Sequence, residues 1–353
     1  MLKYRSNSKS RIISIAAALA AAAMLTGCGA AGENISLGMQ SIQNLDYQAA
    51  LSSFEQAQAG GENQRQINRG MGIAYMGLTD YAQAAECFEN ALRLSSGVVE
   101  DMDYDLNFYL AAAYTKSGRL EEAETTYNAV LAMKPGEEDA YFLRGNVRLG
   151  LGKYEDAQAD FDKVAAMDPQ NYDRLIQIYE VLDNSGYTEA GQLYLQNAIQ
   201  KEDGRMSAYD KGRIYFFLGD YQQAANQLEE AKEKGGAQAY LYLGKAYEAM
   251  GDYNYASSVY NTYLGKDTGN AEIYNQLGLC EIRKGDYQKA LTAFQSGMNV
   301  EDNGIMQSLS FNEIVAYEYL GEFKKAAVLM ETYLQNYPDD EKAKREYGFL
   351  QTR

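Results

Sequence analysis

Few side chains in this 353-residue sequence are equipped for chemistry. There is no histidine. That removes the commonest general base, the usual zinc ligand and every Ser–His or Cys–His nucleophile. Carboxylates remain, 49 Asp plus Glu, and carboxylate pairs can act as acid and base, as in glycoside hydrolysis. With so many of them, chance pairs are unavoidable and single out no site. The clusters Glu137-Glu138-Asp139 and Asp339-Asp340-Glu341 fall at loops and helix starts, where acidic groups favour the helix dipole. No loop has the ligand periodicity of a calcium-binding hand, and no glycine loop is shaped to cradle phosphate. Three cysteines, Cys28, Cys87 and Cys280, complete the inventory. The expectation is a protein with no enzymatic activity, no cofactor and no metal. Its formal net charge of −17 opposes binding to nucleic acid or to anionic lipid headgroups.

The elements that position these residues are periodic. Nine alanines recur at a spacing near 34: Ala50, Ala84, Ala123, Ala157, Ala190, Ala224, Ala256, Ala290 and Ala326. Three residues before each stands an aromatic or a leucine, from Tyr47 and Tyr81 through Leu120 to Tyr287 and Phe323. A self-similar period of this length marks a solenoid of stacked helix pairs. The stretch from Tyr141 predicts a helix, a tight turn at Gly152, a second helix from Tyr154, and a stop at Pro169. Gly38, Gly72, Gly145, Gly212, Gly244 and Gly278 sit mid-helix, at a cost of about 1 kcal/mol each against alanine. They predict close approach of the paired helix. The residues four after each alanine, such as Phe54, Phe88, Tyr194 and Phe294, share the alanine's helix face and are expected to bury against the neighbouring unit.

The pattern Gly-x2-Tyr-x3-Gly-x-Tyr-x2-Ala-x3-Phe resembles the tetratricopeptide repeat. It stands nearly complete as Gly244, Tyr247, Gly251, Tyr253, Ala256 and Tyr260. The resemblance implies an all-α fold, a right-handed α-solenoid of about nine stacked helix-turn-helix repeats over 34–339, with a C-terminal capping helix over 340–353. The chain departs from the pattern in lacking tryptophan, in a degenerate fifth unit around Asp183 to Asn197, and in extra residues within Ser95 to Asp103 and near Val300 to Gly304. Cys87 falls in unit two and Cys280 in unit eight. Their separation excludes a disulfide, whose Cα atoms lie within roughly 7 Å. Both are expected as buried, small apolar residues.

The N-terminus has its own signature. Lys3, Arg5, Lys9 and Arg11 precede an apolar run from Ile12 to Met24, the arrangement of a secretory signal. The following Leu25-Thr26-Gly27-Cys28 is similar to the lipobox of bacterial lipoproteins. The resemblance implies a signal peptide over 1–27, diacylglycerol attachment to Cys28, and a tether over 28–33. The run is too short to span a bilayer, which needs about 20 residues. The protein is therefore expected to be exported and lipid-anchored to the outer face of the bacterial cytoplasmic membrane, or to the outer membrane if the cell has one. Removing 1–27 takes away four cations and no acid, leaving a formal net of −21.

The family resemblance further implies that first helices line a concave groove that binds a protein or peptide partner. The positions facing it form an apolar and aromatic track, with Arg213 and Lys245 as cations near its middle. The expected partner-binding residues are Phe142, Asn146, Tyr179, Tyr209, Arg213, Phe216 and Lys245. Those cations predict a ligand bearing Asp or Glu beside apolar anchors, held best by the planar fork of Arg213. The carboxylate clamp of chaperone-binding members is not matched, because Arg69 is followed one turn on by Ile73 and Asn146 is preceded by Phe142. The alternative is a glycan-binding surface lipoprotein whose aromatic faces stack on sugar rings.

Overall fold

The computed structural model describes residues 32–202 and 204–353. The expectations for 1–27 and for Cys28 lie outside the described residues. All regular structure among the described residues is α-helical.

The chain divides at Asp168/Pro169 into two compact units. The first holds four helix pairs: α1 (Glu33–Gln43) with α2 (Tyr47–Ala59), α3 (Gln64–Gly77) with α4 (Tyr81–Arg93), α5 (Asp101–Lys116) with α6 (Leu120–Met133), and α7 (Glu138–Gly150) with α8 (Tyr154–Met167). The second continues with α9 (Tyr172–Asn184) and α10 (Thr188–Gln200), then α11 (Ala208–Leu218) and α12 (Tyr221–Ala249). Helix α12 is two helices joined across Gly236, whose φ of 59° and ψ of −153° break the helical path. It thus supplies the second helix of one pair and the first of the next. There follow α13 (Tyr253–Leu264), α14 (Ala271–Lys284) with α15 (Tyr287–Met298), α16 (Met306–Tyr319) with α17 (Phe323–Asn336), and a terminal α18 (Glu341–Leu350). This is the helix-pair solenoid that the period predicts.

Local chemistry explains the repeated hairpin. A residue with positive φ ends the first helix, and in five hairpins an aspartate then caps the second. At Gly251, φ is 82°, and the Asp252 carboxylate accepts from the Tyr255 N–H at 3.0 Å. Asp46, Asp80, Asp220 and Asp286 cap in the same way. The first two hairpins place Leu45 (φ 60°) and Thr79 (φ 63°) where others have glycine, a conformation that costs residues with a Cβ.

The mid-helix glycines are notches for rings. An alanine Cβ at Gly72 would lie 2.4 Å from Phe88, at Gly145 2.7 Å from Phe161, and at Gly278 2.3 Å from Phe294. Each ring stands 16 residues after its glycine, on the second helix of the same pair, and is fully buried. The close approach is therefore ring to backbone within one pair, and the rings also reach the neighbouring unit as expected: a Cβ at Gly70 of α3 would lie 2.2 Å from Phe54, and Phe88 stacks on Tyr109 of α5 at 5.5 Å. Burying such a ring contributes about 1.5–3 kcal/mol. In the ninth pair both partners are replaced, Ile314 standing opposite Met330.

The fifth pair corrects the register by one residue. No residue separates Gly186 from the tyrosine in its hairpin, so Tyr187 takes the cap position and α10 starts at Thr188. Gly191, not Ala190, then fills the small-residue slot, and a Cβ there would meet the Tyr179 backbone at 3.1 Å. Leu195, fully buried, replaces Tyr194 in the ring slot. The degeneracy thus lies in both helices, because α9 has no notch glycine and Tyr179 stands in that slot, seven residues before Gly186.

Neighbouring pairs stack in part through their first helices. α1 packs on α3 and α3 on α5; in the second unit α9 packs on α11, the C-terminal half of α12 on α14, and α14 on α16. First helices thus stack from α1 through α3 to α5 in the first unit, and from α9 to α16 in the second. The lengthened link between α4 and α5 is pinned to the first of these stacks. Arg65 of α3 pairs with Glu100 at 2.8 Å and also with Asp103. Glu100 and Asp103 in turn form a capping box that starts α5.

Candidate partner-binding face

Of the seven residues expected to bind a partner, five meet in the second unit. Tyr179 comes from α9, Tyr209, Arg213 and Phe216 from α11, and Lys245 from the C-terminal half of α12. They gather around two rings that the groove reading omits, Phe217 and Tyr242. Tyr179 lies 5.6 Å from Phe217, between ring centroids. Phe216 and Phe217 lie 5.4 and 5.9 Å from Tyr242, and Phe216 also meets Tyr221 at 5.6 Å. The Phe216 contacts and the Phe217–Tyr242 contact are edge-to-face, the geometry that ring quadrupoles favour. Every ring in this set is half-buried rather than enclosed. Three consecutive first helices thus share one partly exposed aromatic face.

Phe217 and Tyr242 lie off the stripe of Tyr209, Arg213 and Phe216, which stand three before, one after and four after Gly212. Tyr242 lies two before Gly244, and Phe217 five after Gly212. The readable signal was the doublet Phe216-Phe217 itself, since one of two adjacent helical residues must lie off that stripe.

Phe142 and Asn146 belong to α7 of the first unit. Phe142 is buried, 7% exposed, with its ring 6.0 Å from Phe161. It packs the core, as Phe108, Leu175 and Leu241 do in equivalent slots, so its expected role as an exposed anchor is corrected. Asn146 is half-buried one turn further on.

The cations also differ from expectation. Arg213 is only 6% exposed. It donates to Asp173 of α9, and its guanidinium is 3.6 Å from Asp210. The guanidinium carbon stands 5.1 Å from the Tyr209 ring centroid and 5.8 Å from that of Tyr242. Burial works against this charge, but the Asp173 hydrogen bond and the neighbouring phenols outweigh it, and the pKa is raised. Arg213 is therefore an internal ion-pair partner and not an open fork for a ligand carboxylate. Arg69 is likewise engaged, by Asp105 at 2.5 Å. Lys245 is half-buried, its ammonium 5.9 Å from the Tyr242 centroid.

Two first-helix carboxylates, Glu248 and Glu318, are withdrawn from water to different degrees. Glu248 is buried and accepts from the Tyr260 hydroxyl at 2.6 Å. This is the polar partner needed when a tyrosine fills the ring notch at Gly244. Burial pushes its carboxyl pKa up, against the Tyr260 hydrogen bond and the Arg283 charge. Glu318 has one buried oxygen without a hydrogen-bond partner, and burial together with the nearby Glu346 pushes its pKa up to about 7.

Among the described residues the cysteines, Cys87 and Cys280, are buried and unbridged. Burial, with nearby carboxylates, raises Cys87 to about 11 and Cys280 to about 12. The Cys280 thiol donates to the Tyr253 carbonyl at 3.2 Å. Neither is poised as a nucleophile.

Family models described as tetratricopeptide repeat match residues 69–138, 138–171, 209–271 and 243–297, together more than half of the chain. The chain belongs to the tetratricopeptide-repeat family. It is similar to the DnaJ homolog subfamily C member 7 homolog of Dictyostelium discoideum, 24% identical over 227 residues, covering 62% of this chain and 40% of that protein. It is also similar to human RNA polymerase II-associated protein 3, 27% identical over 150 residues, covering 38% and 23%. The chain spans less than half the length of either relative. Among solved structures, a tetratricopeptide repeat protein from Parabacteroides merdae matches with 16% identity and a TM-score of 0.45, covering 79% of this chain and 97% of that one.

Proposed function

We propose that this tetratricopeptide-repeat protein is a non-catalytic scaffold that binds protein or peptide partners on the aromatic face of α9, α11 and the second half of α12. The observation carrying this reading is the cluster of half-buried rings at Tyr179, Phe216, Phe217 and Tyr242. Helices stacked at fixed offsets hold these rings in place, so little side-chain freedom is lost when a partner docks. Aromatic residues of this kind anchor interfaces. The glycan alternative finds no support, because these rings pack edge-to-face on one another rather than offering a free platform.

The scaffold is further proposed to be exported and held at a membrane by lipid on Cys28, on the strength of the Leu25 to Cys28 motif. Expressed with its N-terminus, the wild type should partition into detergent phase, while Cys28→Ala should not. Equal partitioning would refute the anchor.

The binding reading is tested by capture from detergent-solubilised membranes of the source cell. The bait is the wild type beside Phe217→Ser, with bound proteins identified by mass spectrometry. A partner retained by the wild type and lost by a folded Phe217→Ser supports the face. Equal capture by both places the interface elsewhere.

A further inference from the structure

The sequence predicts an acidic ligand, because Arg213 and Lys245 are read as open cations. The structure reverses that polarity at one end of the face. One guanidinium, Arg213, is opposed by two carboxylates, Asp173 and Asp210. Asp173 remains 71% exposed while it makes this pair. On α9, Tyr179 and Asp183 are four residues apart and so lie on the same side of the helix. Asp183 is exposed and accepts from the Thr188 hydroxyl at 2.7 Å. Glu180 lies beside them. The cation of the same helix, Arg174, is nine residues from Asp183, about half a turn around the axis, and donates to Gln177 at 2.9 Å. Lys211 of α11 is taken by Glu202 at 3.3 Å.

We infer that the aromatic face takes a cationic amphipathic segment, its apolar side chains on Phe216, Phe217 and Tyr242 and its Lys or Arg at the α9 rim, beside the Tyr179 ring and the Asp183 carboxylate. This rests on the face being the docking surface proposed above. Two attractions converge at the rim. An aromatic ring attracts a cation through its quadrupole, and an exposed carboxylate one turn away adds a charge-assisted hydrogen bond. The phenol of Tyr179 already senses this environment: its pKa is raised by burial and then by Asp183, Tyr221 and Glu180. At the other end the Lys245 ammonium stands 5.9 Å from the Tyr242 ring centroid, so the carboxylates that face outward lie at the α9 rim. The whole chain, at −17, steers the same kind of partner from a distance.

The test uses three fluorescein-labelled 16-residue peptides with one Leu/Phe apolar face, ending in Lys-Lys, Gln-Gln or Glu-Glu. Binding is read by fluorescence anisotropy at low and moderate salt. The Lys-ended peptide is expected to bind at least tenfold more tightly than the Glu-ended one, with a difference that shrinks as salt rises. Asp183→Lys should remove or invert this preference. Phe217→Ser should abolish binding of all three. Tyr179→Ala, at a half-exposed ring, replaces it if Phe217→Ser lowers the melting temperature. Equal affinity for the three peptides, still lost on removing the ring, would overturn the charge inference and leave the docking face standing. No binding by any peptide, or binding indifferent to both ring variants, would overturn the face itself.

Discussion

Gly278→Ala is the most direct probe of how these helix pairs are held together. Helix propensity alone says the change should help, because alanine is favoured over glycine by about 1 kcal/mol in a helix interior. The structure says the opposite. The new Cβ would lie 2.3 Å from Phe294 Cε1 and 2.6 Å from two further ring atoms. Carbon atoms rest at about 3.5–4 Å, so the ring must retreat by more than 1 Å. Phe294 is fully buried between α14 and its neighbours and has little room to do so. Overpacking of this kind costs typically about 1–3 kcal/mol, occasionally more. A clash this deep falls at the upper end, and after the propensity gain the net loss is about 1–2 kcal/mol. In thermal melts followed by circular dichroism this is a drop of about 2–8 °C, at about 2–4 °C per kcal/mol. Gly348→Ala is the control. Gly348 is in α18, exposed, with nothing within 4 Å of a built Cβ, so the same substitution should raise stability by about 0.5–1 kcal/mol. Gly278→Ile with Phe294→Met copies the natural Ile314/Met330 pair and should recover most of the loss. If Gly278→Ala melts at or above the wild type, the ring-in-notch account of the fold is wrong.

Arg213→Glu should destabilise the chain by about 3–5 kcal/mol, because it breaks a buried pair and sets a third carboxylate against Asp173 and Asp210; an unchanged melting temperature would show the guanidinium to be dispensable. Thr79→Gly should stabilise by about 1 kcal/mol, since a β-branched residue is held at φ 63° where other hairpins use glycine; urea titration should show a higher midpoint with an unchanged slope. Glu318 has a folded pKa raised to about 7 above an ordinary carboxylate, so the folded state holds its proton more tightly. Its cost to stability is absent at low pH, where both states are protonated, and grows as pH rises from the carboxylate range through about 7. Glu318→Gln should therefore stabilise the chain more at pH 8 than at pH 5, and an equal effect at both would show that the group is not perturbed. Cys87 and Cys280 should resist a maleimide at pH 7 while native and label fully on unfolding without reductant; rapid native labelling would contradict their burial.

Much of the fold was legible because each pair writes its packing twice. A glycine on the first helix and a ring 16 residues later form one contact, so Gly244 with Tyr260 and Gly278 with Phe294 can be matched without coordinates. The reading failed where one residue was lost. Without a capping aspartate before Tyr187, the spacing still delivered an alanine at 190, and only the backbone path shows that Gly191 holds the slot. It also misjudged which face the first-helix residues use. Phe142 and Tyr209 occupy the same position relative to their notch glycines, yet Phe142 is enclosed and Tyr209 half-exposed. The difference is made by neighbours in adjacent repeats, which periodicity within one repeat does not weigh.

The cations show the same limit in a form that can be corrected. Arg65 pairs with Asp103, Arg69 with Asp105, and Arg213 with Asp173. The partners are 38, 36 and 40 residues apart, a little over one period. In a stacked array such residues face one another across adjacent first helices, so whether a cation is available is decided one repeat away as well as one helical turn away. Arg213 has Asp210 one turn before it on its own helix, at 3.6 Å, and Asp173 of α9 one repeat away. The consequence is chemical. With its guanidinium spent inside the stack, the face keeps its rings and its outward carboxylates, and Asp183 beside Tyr179 becomes the charge that a partner meets first.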